Sequence, residues 1–231
     1  MTAPRAPHHG RAPRRDAALN RESILDAARA LLGHDPAASL EAIAAEAGLS
    51  RRSVYGHFAS RDALLEELTV RGTERVLTAV AAVDDEDPVV RIALIAAAAW
   101  DDIEHVRAMT LATVRSPRAA LVDDRLGPLR ARLVETIEEG RDAGSIRADV
   151  APERLARLLV AVVLDVFTES ATSPLDRDAG RELVVAMTLS TIGLSAREAA
   201  EVVARRPELT APRPHVDPLW PPTEAIQVVR S

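Results

Sequence analysis

Between residue 19 and residue 205 apolar positions recur every three or four residues, and nowhere do they alternate as a half-buried strand requires. Ile24, Leu25, Ala28, Leu31 and Leu32 form one helical stripe, closed by Gly33 and Pro36. Ser39 is placed to cap a short helix carrying Leu40, Ile43 and Ala44, which Gly48 breaks. Ser50 opens a second short helix through His57. Ser60 opens a third, with Leu64, Leu65, Leu68 and Val76 on one face, stopped by the acidic turn at residues 84–87. Further helices are predicted over 88–104, 105–115, 118–143, 152–171, 179–194 and 196–205. Pro88 and Pro152 suit first turns, and Pro128 predicts a kink or offset within 118–143. The chain is predicted to be all-α, with short loops and no repeat.

The two ends read differently. Residues 1–18 carry Pro4, Pro7 and Pro13 beside Arg11, Arg14 and Arg15, with little to bury, and are predicted to be a disordered basic arm. Residues 206–231 carry Pro207, Pro212, Pro214, Pro218, Pro221 and Pro222 and are predicted to be a Pro-rich tail. Between them the pattern divides into a small three-helix domain over 19–66 and a larger helical bundle over 67–205.

Composition narrows the chemistry. The 231 residues contain no Cys, which excludes disulfides, thiolate metal sites and cysteine nucleophiles. Hydrophobic residues make up 47% and aromatics only 2%, which favours Ala-rich helices over sheets. Apolar runs such as Leu158–Leu164 fall well short of a membrane span, and the N-terminus lacks the apolar stretch of a secretory signal, so a soluble cytoplasmic protein is expected. No Lys occurs, so any phosphate contact uses the Arg fork or a neutral donor. The net charge of −6 is uneven: residues 1–71 hold 10 Arg against 9 acidic residues, and residues 72–231 hold 19 against 26. The acidic total weighs against indiscriminate nucleic-acid binding, but the local field at one face matters more.

The informative segment is SLEAIAAEAGLSRRSVYGHF, residues 39–58. Its physics is that of a helix-turn-helix. Gly48 takes positive φ cheaply at the turn, and Leu49 lies under it. The second helix presents Arg51, Arg52, Ser53, Tyr55 and His57 outward, while Val54 and Phe58 face inward. A major groove admits such a helix, whose N-terminal residues reach base edges.

GLSRRSVYGHFASRDALL resembles the signature of the tetracycline-repressor (TetR) family, G-[VL]-S-x-x-x-[LV]-Y-x-[HY]-F-x-[SN]-[KR]-x-x-L. Gly48, Ser50, Tyr55, His57, Phe58, Ser60, Arg61 and Leu64 all fall at the expected places, and RESILDAARALL is similar to the family's first helix. The match covers residue 20 to about residue 71. Arg52 and Gly56 depart from the commoner residues and bear on base preference. SIRADVAPERLARLLVAV more loosely resembles the approach to the family's eighth helix. The resemblance implies an all-helical homodimer with an N-terminal DNA-binding domain and a C-terminal domain that binds a ligand and dimerises.

Candidate DNA contacts are Arg51, Arg52, Ser53, Tyr55 and His57, with Ser39 and Ser50 as caps first and phosphate donors second. Arg61 resembles the family's phosphate-contacting basic residue. Candidate ligand contacts are Trp100, His105, Met109, Thr110, Thr113 and Phe167, and the scarcity of aromatics points to an apolar effector. For the dimer, Leu159, Val162, Val163 and Val166 pair with Leu183, Val184 and Met187, each with an intrachain core as the alternative.

An enzyme reading lacks a site. Asp101, Asp102, Glu104 and His105 form the one dense carboxylate–His cluster, without the second motif a di-metal bundle needs. No Gly-rich phosphate loop or nucleophile elbow is present, so no catalytic residue, metal or cofactor is assigned. The expected function is a homodimeric repressor that leaves its double-stranded DNA operator when a small molecule binds. The competing reading is a helical protein-interaction adaptor without specific DNA binding.

Overall fold

The computed structural model describes residues 12–104, 119–172 and 175–211, all of them helix or connecting turn. They fall into two compact units that divide between Leu68 and Thr69. The helix predicted over 105–115 lies outside the described residues.

The first unit holds α1 (Ala12–His34), α2 (Leu40–Glu46), α3 (Arg51–His57) and the opening turns of α4 (Arg61–Ala81). Helix α1 starts at Ala12, so residues 12–18 are helical rather than part of a disordered arm. Pro13 sits in the first turn, where a missing N–H costs nothing, and Ala17, Ala18 and Leu19 are strong helix formers. Helix α1 packs on both α2 and α3. Ile24, Leu25, Ala28 and Leu32 meet Leu40, Ile43, Ala44, Val54, Phe58 and Leu64 in a buried core.

The turn after α2 is set by its hydrogen bonds. The Leu49 N–H donates to the Ala44 carbonyl at 2.9 Å and the Gly48 N–H to Ala45 at 3.1 Å. This paired closure needs a left-handed residue between, and Gly48 has φ +66°. Leu49 is half-buried beneath it.

The second unit holds the rest of α4, then α5 (Pro88–Glu104), α6 (Ala119–Arg125), α7 (Gly127–Asp142), α8 (Pro152–Thr172), α9 (Arg177–Thr191), α10 (Ala196–Arg205) and a 3₁₀ turn at Pro207–Leu209. The single helix expected over 118–143 is two, α6 and α7, divided at Leu126 with φ −76° and ψ −1°. Pro128 forces the break, because it has no N–H to give and its ring displaces the carbonyl one turn back.

Helix α5 packs against α7, α8 and α9, and α9 also packs against α8 and α10. Almost every residue from Val89 to Trp100 is buried, as expected of a helix apolar around its whole circumference. Arg132 closes the end of α4 by donating to the carbonyls of Val80 and Val83. Residues 206–211, expected in the tail, are docked instead. Leu209 is fully buried, and Arg181 donates to the carbonyls of Leu209 and Glu208, each at 3.0 Å. One buried Leu and two arginine hydrogen bonds outweigh the Pro-rich composition locally, while a third bond from Arg181 to the Ala97 carbonyl fixes the arginine to α5. Among the described residues no helix is long and apolar enough to cross a membrane.

Candidate nucleic-acid interface

Helix α3 is short, and its two ends are fixed separately. Ser50 Oγ accepts the Ser53 N–H at 3.2 Å and caps the start. Ser39 does the same for α2, accepting the Ala42 N–H at 3.2 Å. Both serines act in this structure as caps. At the far end Val54 and Phe58 anchor the helix to the core, as the pattern required.

The outer face then follows from the helical period. Arg51, Arg52, Tyr55 and Gly56 are exposed, and Ser53 and His57 are half-buried. Arg52 has no side-chain partner among the described residues, so its guanidinium is available. Gly56 has nothing within 4 Å of where a Cβ would stand, which leaves that part of the face open.

Arg51 and Tyr55 are not free. Tyr55 Oη donates to Glu41 Oε1 at 3.1 Å, and Arg51 Nη2 lies 3.0 Å from the same oxygen. The Arg51 guanidinium also sits over the Tyr55 ring, 5.4 Å from its centroid. The backbone N–H of Glu41 first, then Tyr55, Arg51 and Ser39, hold the Glu41 carboxyl below its ordinary pKa against a small opposing effect of burial.

Arg61 is engaged within its own unit. Nε donates to the Ala38 carbonyl at 2.8 Å and Nη2 to the Pro36 carbonyl at 2.6 Å. It pins the loop that leads into α2 and so sets the angle at which α2 and α3 are displayed.

Arg21 went unnoticed in the sequence. Its Nη1 donates to the His57 carbonyl at 2.8 Å, its guanidinium lies 4.3 Å from the Phe58 ring centroid, and it pairs with Glu67 of α4. One side chain of α1 thus closes the end of α3 and ties it to α4. The signal was present: Arg21 interrupts the apolar stripe three residues before Ile24 and four before Leu25, and Glu67 interrupts the Leu64–Leu68 stripe likewise.

In the second unit Trp100 and Phe167 meet edge to face, centroids 6.2 Å apart and planes at 67°, both fully buried. His105, Met109, Thr110 and Thr113 lie outside the described residues. Asp101 pairs with buried Arg181, and Asp102 accepts Arg75 Nε at 2.6 Å. Among the described residues no group of three His, Asp or Glu is arranged to hold a metal. Leu159, Val163, Val166 and Val184 are buried in the core of their own chain. Val162 and Leu183 are half-buried and Met187 is exposed, as is Leu158.

A capped turn between two seven-residue helices, with two arginines and a tyrosine on the outer face of the second, defines a helix-turn-helix transcription regulator. Residues 24–68 match the family described as bacterial regulatory proteins, tetR family. The first unit therefore carries a DNA-binding domain of the tetR type, and the chain is a DNA-binding transcriptional regulator.

Solved structures share the fold. SmeT, the repressor of the Stenotrophomonas maltophilia multidrug efflux pump SmeDEF, is 27% identical, with a TM-score of 0.59 over 76% of this chain and 91% of its own. A tetR-family regulatory protein from Rhodococcus RHA1 is 22% identical, with a TM-score of 0.61 over 76% of this chain and 98% of its own. KstR2, the ketosteroid transcriptional regulator of Mycobacterium tuberculosis, is 22% identical, with a TM-score of 0.56 over 76% of this chain and 95% of its own. No curated protein sequence matches the chain.

Proposed function

We propose that the protein is a homodimeric repressor that holds operator DNA through α3 and is released by a small apolar molecule bound in its second unit. It acts by binding, in the cytoplasm, without catalysis. Arg52, exposed and without a side-chain partner among the described residues, beside Arg51 and Tyr55 on one helical face, carries the reading. Arg51 and Arg52 contact guanine edges or phosphates, and Ser53, Tyr55 and His57 supply further donors. Ser39, Ser50 and Arg61 shape the approach and stand close to the phosphates.

A dimer is supported by apolar residues on α8 and α9 that remain exposed or only half-buried. Leu158 and Val162 lie one turn apart on α8, as do Leu183 and Met187 on α9. Two copies of such a pair make a four-helix contact with twofold symmetry. Repression, rather than activation, is supported by the likeness to SmeT. The effector would contact Trp100 and Phe167, with His105, Met109, Thr110 and Thr113 as the other candidates for its binding. Its binding must differ between two dimer geometries for release to follow.

The test is anisotropy of labelled DNA from the region flanking the coding sequence, with competitor DNA at two salt concentrations. Changing Arg51 and Arg52 together to Ala should weaken binding by a factor of roughly one hundred, from two contacts worth about 1–3 kcal/mol each. The salt dependence should become shallower, and the dimer should persist in sedimentation. Unchanged affinity would remove α3 as the reading helix. Binding to a protein partner that ignores salt would favour the adaptor reading.

A further inference from the structure

The outer face of α3 meets an acceptor from its own chain. Glu41 Oε1 takes the Arg51 guanidinium at 3.0 Å and the Tyr55 hydroxyl at 3.1 Å. An anionic oxygen shared by an arginine and a phenol is what a DNA phosphate would offer the same two donors. All three side chains are exposed, Arg51 at 70% and Glu41 at 44%, so the arrangement breaks at small cost and a duplex can reach it. Arg52, next along the helix, has no such acceptor among the described residues. The two neighbouring arginines therefore begin from different states.

We propose that Glu41 sets the strength of operator binding, as an internal competitor that withholds Arg51 and Tyr55 from DNA until a duplex supplies better acceptors. The inference rests on α3 being the DNA-reading helix. On arbitrary sequence the gain from one more phosphate contact is small, so Arg51 stays on Glu41 and Arg52 does most of the holding. On the operator a bidentate base contact exceeds the lost ion pair, and Arg51 and Tyr55 transfer to the DNA. Glu41 thus lowers operator affinity by the whole worth of the pair and random-duplex affinity only by the smaller phosphate contact that Arg51 forgoes, and so narrows the ratio between them. Its carboxylate is well suited to this, since its neighbours keep it ionised across the physiological range.

The experiment uses the full chain and two duplexes, one from the region flanking the coding sequence and one of random sequence. Glu41→Gln should raise operator affinity about fivefold at low salt, the scale of an exposed ion pair, and raise affinity for the random duplex by less. Glu46→Gln removes the same charge from α2 at an exposed position without touching Arg51 or Tyr55, and should change both duplexes equally and weakly. In a chain already carrying Arg51→Ala and Tyr55→Phe, Glu41→Gln should act like Glu46→Gln. If Glu41→Gln matches Glu46→Gln in the intact chain, or if its gain survives without Arg51 and Tyr55, the competitor role is wrong while α3 can still read DNA. If Arg51→Ala and Arg52→Ala leave operator binding untouched, the DNA-reading assignment fails and the competitor role fails with it.

Discussion

The indole N–H of Trp100 donates to the carbonyl of Arg177 at 3.0 Å, and the ring fills the place a side chain on Gly180 would take. A Cβ built there would lie 2.6 Å from Cη2 and 2.7 Å from Cε2. Helices α5 and α9 approach as closely as they do because one contributes the largest side chain and the other none. Trp100 is thereby a structural wedge, with its one polar atom satisfied.

Gly180→Ala should therefore destabilise the protein by about 1–3 kcal/mol, although alanine is the better helix former. Thermal unfolding followed by circular dichroism would show it, with a change in Trp fluorescence. Gly56→Ala is the control. Nothing lies within 4 Å of that Cβ, so it should stabilise by about 0.5–1 kcal/mol. Equal behaviour of the two variants would contradict the wedge.

Arg21 joins the end of α3 to Phe58 and Glu67. Arg21→Ala should cost about 1–3 kcal/mol, the His57 carbonyl losing its charged donor and Phe58 its cover. DNA binding should fall because α3 is no longer held, even though Arg21 does not face outward with Arg51 and Arg52. Arg21→Lys should recover only part, since lysine cannot serve a carbonyl, a ring and a carboxylate together. Full recovery by lysine would show that charge alone matters.

Arg181 is almost completely buried and answers both Asp101 and the docked turn at residues 207–209. Arg181→Met should cost about 3–5 kcal/mol, since it takes away the closest charged partner of a buried carboxylate and leaves it the looser Arg177, 3.7 Å away. Pairing it with Asp101→Asn should recover much of that loss in stability. It should not restore protection of the amides at 206–211 in hydrogen exchange, because the donors to Glu208 and Leu209 are still gone. Unaltered exchange in Arg181→Met would mean that Leu209 alone holds the turn.

Arg147 donates to both oxygens of Asp149, at 2.7 Å each, and holds that carboxyl at about 2, below its ordinary 3.8. The folded value lies below the unfolded one, so the pair stabilises the fold at and above about pH 4 and the contribution fades as pH falls toward about 2. Asp149→Asn removes that dependence. In denaturant titrations the gap between the parent and Asp149→Asn should close across that window. A gap constant down to about pH 2 would show that the pair adds nothing. The group is exposed, so the whole effect is small.

How much of this was legible beforehand follows from the range of each interaction. Ser39, Gly48, Ser50 and the Val54–Phe58 spacing act within one turn of backbone. The chain pattern therefore carries both short helices, their caps and their outward arginines. Pro88 and Pro152 acted within one turn too. Pro128 went further than the kink or offset expected of it and divided the helix outright. The start of α1 and the docking of residues 206–211 were misread because composition averages over a segment. The first hangs on a proline already inside a first turn, the second on one buried leucine and the donors of Arg181.

The sequence by itself determined the helical class, the helix-turn-helix and its exposed basic face, because periodicity and capping are local. Only the tertiary structure decided which side chains spend their charge on the chain itself. Arg61 went to two loop carbonyls, Arg21 to the end of α3, Arg51 and Tyr55 to Glu41, and Arg181 to the buried Asp101. It also decided that Leu159, Val163, Val166 and Val184 fill an internal core while Leu158 and Met187 stay in solvent. The partner in each case comes from a different element. Charge and hydrophobicity say that a group needs a partner, and only the packing of helices says which one is near.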